Sequence, residues 1–97
     1  PESAFTVQAV LVRRSPQEPF GIAYCLTAQR VVVVKVQDGG PCARYNHDVW
    51  FLGGPLRSMQ VRPGDEVRIV NGQTDAARIK RELLSCTVVH LQVYRSP

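Results

Sequence analysis

The sequence is poor in the features that mark several common classes of protein. It contains no apolar run near the ~20 residues that a membrane-spanning helix needs, and it does not open on a secretory signal. Its three cysteines, Cys25, Cys42 and Cys86, form no Cys-x-x-Cys pair and no Cys/His cluster at metal-ligand spacing. We therefore predict no metal and no cofactor. Cys25 and Cys86 stand in apolar segments, where we expect buried thiols, and this usage indicates a reducing, cytoplasmic location.

The excess of positive charge is small and is spread along the chain. Lys and Arg number 12 against 8 Asp and Glu, which gives a net charge of +4. A nucleic-acid-binding chain usually shows a basic stripe or an aromatic-bearing motif, and neither is present. We predict no nucleic-acid partner. Weak contact with anionic lipid stays open, as does attachment to the inner face of a membrane through partners.

Groups that could support catalysis are scattered. His47 and His90 could each be combined with a serine, but no glycine-flanked serine or nucleophile elbow supports a triad. His90 alternates out of phase with Val89 and Leu91, which predicts a solvent-facing position on an edge strand. We predict no catalytic residue and no enzymatic activity, although the chain could still be the regulatory domain of a larger enzyme.

Short apolar stretches between Pro and Gly turns predict a mostly β domain. We expect strands at residues 5–14, 21–27, 31–36, 67–70 and 88–94, with the β-branched run 31–36 buried on both faces. Pro41 can begin a short helix, and apolar residues at helical spacing predict a longer one over 75–86, capped by Thr74 or Asp75. The sequence thus predicts one α+β domain over residues 1–97, a fragment of a larger protein. Its architecture would be a small, partly open antiparallel barrel or sandwich of five or six strands, capped by one short and one longer helix.

The loop Pro19-Phe20-Gly21-Ile22 precedes the second predicted strand. Glycine between large apolar residues allows a tight turn that points consecutive N–H groups one way, which suits an anion such as a carboxylate. An apolar hollow beside such amides describes a receptor for a peptide C-terminus. The alternative is a hairpin turn whose Phe and Ile belong to the core.

Four local signatures, in register, resemble those of PDZ domains over nearly the whole chain. They are the apolar-Gly-apolar loop 19–22, the turn Gly39-Gly40-Pro41-Cys42-Ala43, the segment 61–72 with its Gly-Asp and Asn-Gly pairs, and the helix and strand over 76–94. The resemblance implies that the C-terminal peptide of a partner protein adds as an antiparallel strand between the second strand and the long helix.

The resemblance also implies which residues form the site. The amides of Phe20, Gly21 and Ile22 would hold the carboxylate, Pro19 would shape the loop, and Arg14 would assist through water, with Arg13 as its alternative. The groove would be formed by Ala23, Tyr24, Cys25, Ala76, Lys80 and Leu83.

The helix register along the groove has two interpretations. In one, Ala76, Lys80 and Leu83 face the groove; in the other, Asp75 and Ile79 do. Neither offers the histidine with which many PDZ domains bind a Ser or Thr hydroxyl two residues before the peptide end. We therefore expect a hydrophobic last residue with an acidic or apolar residue two before it, bound with micromolar affinity.

The segment 45–60 is longer than the corresponding segment of most PDZ domains. We expect its Trp50-Phe51-Leu52 cluster to fold back on the core rather than to form an exposed partner surface. The insert could also reach the groove, and the open edge of the second strand could pair with another chain. A structural or self-associating module with an occupied groove is therefore the alternative function.

Overall fold

The computed structural model describes residues 5–95, which form a five-stranded antiparallel sheet with two α-helices. The strand order across the sheet is β1-β5-β4-β3-β2. This confirms the predicted α+β class with five strands. The elements are β1 (Phe5–Val12), β2 (Ile22–Thr27), β3 (Arg30–Val36), α1 (Pro41–Leu52), a 3₁₀ helix (Gly54–Met59), β4 (Glu66–Val70), α2 (Ala76–Ser85) and β5 (Val88–Arg95).

The core forms where the inner faces of β1 and β5 meet α2. Alternate residues of the two strands pair across the ladder, as in Leu11 opposite Val89 and Ala9 opposite Leu91, and all of these are buried. Because side chains alternate between the faces of a strand, one register buries the whole apolar set. Helix α2 covers this layer with Ile79 and Leu83. Its N-cap is Asp75, as predicted, whose side chain accepts hydrogen bonds from the N–H groups of Ala77 and Arg78.

Two burial predictions and one prediction of strand position are wrong. Strand β3 is not buried on both faces, since Val33 is buried but Val34 is 55% exposed. His90 is exposed as expected, but β5 lies between β1 and β4 and is not an edge strand. Cys25 is exposed and Cys86 is half-buried, whereas Cys42 is the fully buried thiol. In each case the sequence pattern predicts an environment from neighbouring residues alone. The actual environment depends on which other element packs against that face in the tertiary fold.

Helix α1 is longer than the short helix predicted from Pro41. It has 12 residues against 10 in α2, because no Pro or Gly interrupts it before Gly53, which ends it at φ 78°. The inner side of α1 is tied to the returning chain: the Asn46 amide group donates to the carbonyl of Val61 and accepts from the N–H of Val61, both at 2.7 Å. The Tyr45 hydroxyl donates to the carbonyl of Met59 at 2.9 Å. The insert 45–60 is thus ordered as the end of α1 and a 3₁₀ helix.

The expectation that Trp50-Phe51-Leu52 folds back on the core is also wrong. Trp50, Phe51 and Leu52 are 49%, 78% and 73% exposed. The face of α1 that meets the rest of the protein is already occupied by Cys42, Tyr45 and Asn46 contacts, so the last turn of the helix carries its apolar side chains into solvent. None of the helices in residues 5–95 is long and apolar enough to cross a membrane.

A buried ion pair joins the end of β5 to the segment before β4. Asp65 is 2% exposed, and its carboxylate accepts two hydrogen bonds of 2.8 Å from the Arg95 guanidinium. The remaining donors of Arg95 reach the carbonyls of Ser58 and Gln60, and the N–H of Arg62 donates to Asp65. The pair raises the pKa of Arg95, chiefly through the hydrogen bonds to Asp65. Because almost every polar atom here has a partner, this network fixes the return of the insert to the sheet.

We predict that Arg95→Met lowers the free energy of unfolding by about 3 kcal/mol, because it leaves the Asp65 carboxylate buried without its counter-ion. Urea denaturation followed by circular dichroism measures the loss. Arg78→Met, which removes an exposed arginine from α2, is the matched control and should change stability by less than about 0.5 kcal/mol. Equal effects of the two substitutions would contradict a structural role for the ion pair.

Candidate functional site

The loop 19–22 is held in place through its carbonyl groups. The Phe20 carbonyl accepts from the N–H of Cys42 at 2.9 Å, and the Gly21 carbonyl accepts from the N–H of Gln37 at 2.8 Å. Gly21 has φ 80°, and a Cβ built on it would lie 3.3 Å from the Cα of Gly40. Both the left-handed backbone and this close approach require glycine at position 21. The loop therefore packs backbone to backbone against the start of α1.

This anchoring fixes the direction of two amide groups. All peptide bonds of the described residues are trans, so each N–H points opposite to the carbonyl of the preceding residue. The N–H of Gly21 therefore points away from α1, and the N–H of Ile22 points away from β3. The N–H groups of Phe20 and Gly21 donate to no acceptor within residues 5–95. Neighbouring N–H groups that point away from the packed elements can receive an anion.

A hollow of about 140 Å³ opens beside these amides, between β2 and α2. Phe20 and Ile22 contribute from the loop side, Tyr24 from β2, and Leu83 from α2. Phe20 and Leu83 are buried, while Ile22 and Tyr24 are half-buried, and burial raises the pKa of the Tyr24 hydroxyl. The hollow is thus mainly apolar and suits one medium-sized apolar side chain. Its full lining is Arg13, Pro19, Phe20, Ile22, Tyr24, Leu83 and Leu84.

Arg13 joins the loop to the C-terminal end of α2. Its Nε donates to the carbonyl of Cys86 at 2.8 Å and its Nη1 to the carbonyl of Glu18 at 3.0 Å. Its Cζ lies 4.1 Å from the centre of the Phe20 ring, a cation–π arrangement. A cation at the C-terminal end of a helix is also stabilised by the helix dipole. Nη2 of Arg13 is buried and has no hydrogen-bond partner within the described part of the chain.

The structure brings Arg13, not Arg14, to the hollow. The Arg14 side chain is exposed and lines a separate depression with Val10 and Asp48, while its backbone N–H donates to Glu18 at 2.7 Å. Side-chain alternation along β1 contained the necessary signal, because the buried series Val7, Ala9 and Leu11 continues at Arg13 and excludes Arg14.

Three other residues predicted to form the groove, Ala23, Cys25 and Lys80, do not line the hollow. Ala23 is half-buried on β2, and Cys25 is exposed with its Sγ 3.6 Å from the Thr27 hydroxyl. Lys80 is exposed one helical turn before Leu83 and Leu84, on the same side of α2. Sequence reasoning missed Leu84, which lines the hollow while 61% exposed.

Ala76 lies at the opposite end of α2 from the hollow. It lines a larger, open depression of about 410 Å³ together with the buried Ile79. Arg30 and Arg68 contribute to this depression, and both pair with Glu66, at 2.8 and 3.3 Å. The hydrogen bond from Arg30 is the main cause of the lowered pKa of Glu66. This depression is wide and open and carries three charged side chains, so the apolar hollow beside the loop is the better-formed site.

Comparison with known proteins assigns the fold. No protein-family model matches the sequence, and no curated protein matches it. Among solved structures, the crystal structure of MUPP1 PDZ4 superposes with a TM-score of 0.73, covering 97% of this chain and 78% of that chain at 17% identity. The chain has a PDZ-like fold. In this fold the loop 19–22 leads into the edge strand β2, and α2 lies across the hollow from both.

The groups around the hollow are main-chain donors, apolar side chains and a cation. Within residues 5–95, no group of three His, Cys, Asp or Glu side chains is placed to hold a metal ion. Burial, with the nearby Asp65 charge, raises the pKa of the Cys42 thiol to about 12, so that thiol stays neutral beneath the loop.

We predict that Gly21→Ala destabilises the protein more than Gly39→Ala. Both glycines have φ 80°, so both substitutions carry the left-handed strain of about 1 kcal/mol. A Cβ at Gly39 meets nothing within 4 Å, whereas one at Gly21 presses on the Gly40 backbone. Urea denaturation of the two variants isolates that contact. Equal losses in the free energy of unfolding would show that the approach of the two backbones is not tight.

Proposed function

We propose that this chain is a protein-interaction module that binds the C-terminal carboxylate and last few residues of partner proteins. A PDZ-like fold suggests an interaction module, and the observation that carries the finer proposal is the anchored loop. Because the Phe20 and Gly21 carbonyls are bonded inward, the following N–H groups are set outward at the mouth of an apolar hollow. Hydrogen bonds from such donors to a charged carboxylate are stronger than neutral ones.

The free edge of β2 supports binding by strand addition. β2 lies at one end of the strand order, next to β3, among the described strands. Ile22 is paired with Val36, and the bond from Gln37 to Gly21 makes this a non-hydrogen-bonded pair. The N–H and carbonyl of Ile22 therefore both point to the free edge, where an extended peptide can pair with them.

The hollow and α2 set the proposed ligand preference. The last side chain of the peptide would enter the hollow between Phe20 and Leu83, which favours an apolar residue. The side chain two residues earlier would pass near Lys80, which favours an acidic or apolar residue. An affinity in the micromolar range follows, since one pocket and one added strand must offset the ordering of a flexible tail. The module would act as one domain of a larger cytoplasmic protein.

We predict that a peptide with a free carboxylate and a C-terminal valine binds more than about tenfold tighter than its C-terminal amide, because the amide lacks the charged acceptor. Isothermal titration measures both. Leu84→Asp, which places a charge at the hollow, should abolish binding, whereas Val10→Asp, also exposed but on β1 at the other end of the strand order, should preserve it. Equal binding of acid and amide, or binding of neither, would exclude carboxylate capture.

We predict that Lys80→Ala weakens a peptide with aspartate two residues before its end by about two- to fivefold, as expected for an exposed charge pair. The same peptide with alanine at that position should be unaffected. Arg78→Ala removes an equal charge from another side of α2 and serves as the control. A peptide array that prefers Ser or Thr at this position, unchanged by Lys80→Ala, would contradict the proposed preference.

The open edge of β2 also favours self-association as the second candidate function. An exposed edge can pair with the same edge of another copy. Sedimentation equilibrium of the free chain distinguishes the two, because a dimer through β2 would be dissociated by a tight C-terminal peptide.

A further inference from the structure

An exposed apolar patch lies at the far end of α1 from the peptide groove. We call it the insert patch. It consists of side chains from the last turn of α1 and the following 3₁₀ helix, which are between 37% and 78% exposed. Five large apolar side chains in ten consecutive residues are unusual on a protein surface that meets only water. The patch comprises Trp50, Phe51, Leu52, Leu56 and Met59.

The backbone beneath the insert patch is well fixed. The N–H of Gly53 donates to the carbonyls of Val49 and Trp50, at 3.3 and 3.0 Å, and closes the end of α1. The Nε of Arg57 donates to the carbonyl of Trp50 at 3.1 Å, and the Ser58 hydroxyl caps the carbonyl of Pro55. These hydrogen bonds hold the backbone of the insert patch in a defined conformation.

The shape of the insert patch is convex. Phe51 and Leu52 are 78% and 73% exposed, so neighbouring side chains cover little of their surface. A partner helix needs a groove in which to lie. A lipid surface needs the opposite, which is apolar side chains that stand out far enough to enter the boundary between headgroups and acyl chains.

The charge around the insert patch is positive. Residues 49–64 contain Arg57 and Arg62 and no Asp or Glu. The Arg57 guanidinium stacks 4.2 Å from the centre of the Trp50 ring, and Arg62 donates to the carbonyl of Arg57. The next acidic residue, Asp65, is buried and paired with Arg95. The patch thus combines tryptophan, aliphatic side chains and two guanidinium groups, against one exposed carboxylate, Asp48, which lies one helical turn before Leu52 and 3.8 Å from His47.

We propose that the insert patch binds the anionic phospholipid surface of a membrane. Phe51 and Leu52 enter the headgroup boundary, Trp50 lies at the interface, where its amphipathic ring is favoured, and Arg57 and Arg62 contact lipid phosphates. The net charge of +4 draws the chain to such a surface. A second copy is a poorer occupant, because a two-fold dimer would bring four guanidinium groups together against only the two Asp48 carboxylates.

This binding leaves the peptide groove free. The N-terminal end of α1 contacts the loop through Cys42, whereas the insert patch begins at Trp50, eight residues further along the helix. At about 1.5 Å per residue these two positions are separated by about 12 Å along the helix axis. The membrane proposal therefore stands or falls independently of carboxylate capture.

The test is binding of the 97-residue chain to phospholipid vesicles. Trp50 is the single tryptophan, so its fluorescence reports the patch directly. We expect a blue shift and co-sedimentation with vesicles of phosphatidylcholine and phosphatidylserine. Binding should be lost as salt rises from 0.1 M to 1 M, which shortens the screening length from about 10 Å to about 3 Å.

Variants separate the contributions of the patch. Phe51→Ser with Leu52→Ser should weaken vesicle binding more than about tenfold, and Arg57→Gln with Arg62→Gln by about fivefold per charge. Val12→Ser with Val34→Ser, which removes apolar side chains of similar exposure elsewhere, should leave it unchanged. Equal binding to pure phosphatidylcholine, no binding to either vesicle, or a dimer in solution that Phe51→Ser with Leu52→Ser dissociates would each overturn the proposal.

Discussion

The contact between the backbones of Gly21 and Gly40 is the constraint from which the groove is built. It lets the loop approach the start of α1 so closely that the carbonyl of Phe20 reaches the N–H of Cys42. One residue later the Gly21 carbonyl reaches Gln37, at the end of β3. Three elements thus begin or end at one point. The direction of the loop amides, the start of β2 and the position of α1 all follow from it.

The opposite wall of the groove is set by the end of α2. Arg13 spans the gap, with Phe20 beneath its guanidinium and the Cys86 carbonyl at its Nε. Leu83 is packed into the core, so α2 cannot approach β2 more closely without losing that packing. The width of the hollow is therefore set by two contacts, the packing of Leu83 in the core and the bridge that Arg13 makes between Phe20 and Cys86. Neither contact lies on the free edge of β2, which stays open.

Much of this fold could be predicted from short segments of the sequence. Gly39-Gly40 before Pro41 indicates a turn into a helix, Asp75 indicates a cap, and alternation in β1 and β5 indicates a shared core, because each depends on neighbouring residues alone. The loop and Leu83 could likewise be placed beside one hollow.

Predictions failed where coverage by distant elements decides the outcome. Val34 and Cys25 stand in apolar runs but face solvent, and β5 became a central strand because β1 adds outside it. The length of α1 and the exposure of Phe51 depend on Asn46 holding the returning chain. Arg13 and Arg14 are chemically identical neighbours. Only the alternation of side chains along β1, which buries Arg13 and exposes Arg14, shows which of them reaches the hollow.

The loop 19–22 presents main-chain atoms, and this has an evolutionary consequence. A surface of N–H groups is unaltered by most side-chain substitutions, provided that glycine is kept where a Cβ would collide. Selection on such a surface therefore falls on few positions and lets the rest of the chain drift. This chain and MUPP1 PDZ4 share a fold at 17% identity, so the path of the backbone is common to two sequences that agree at few positions.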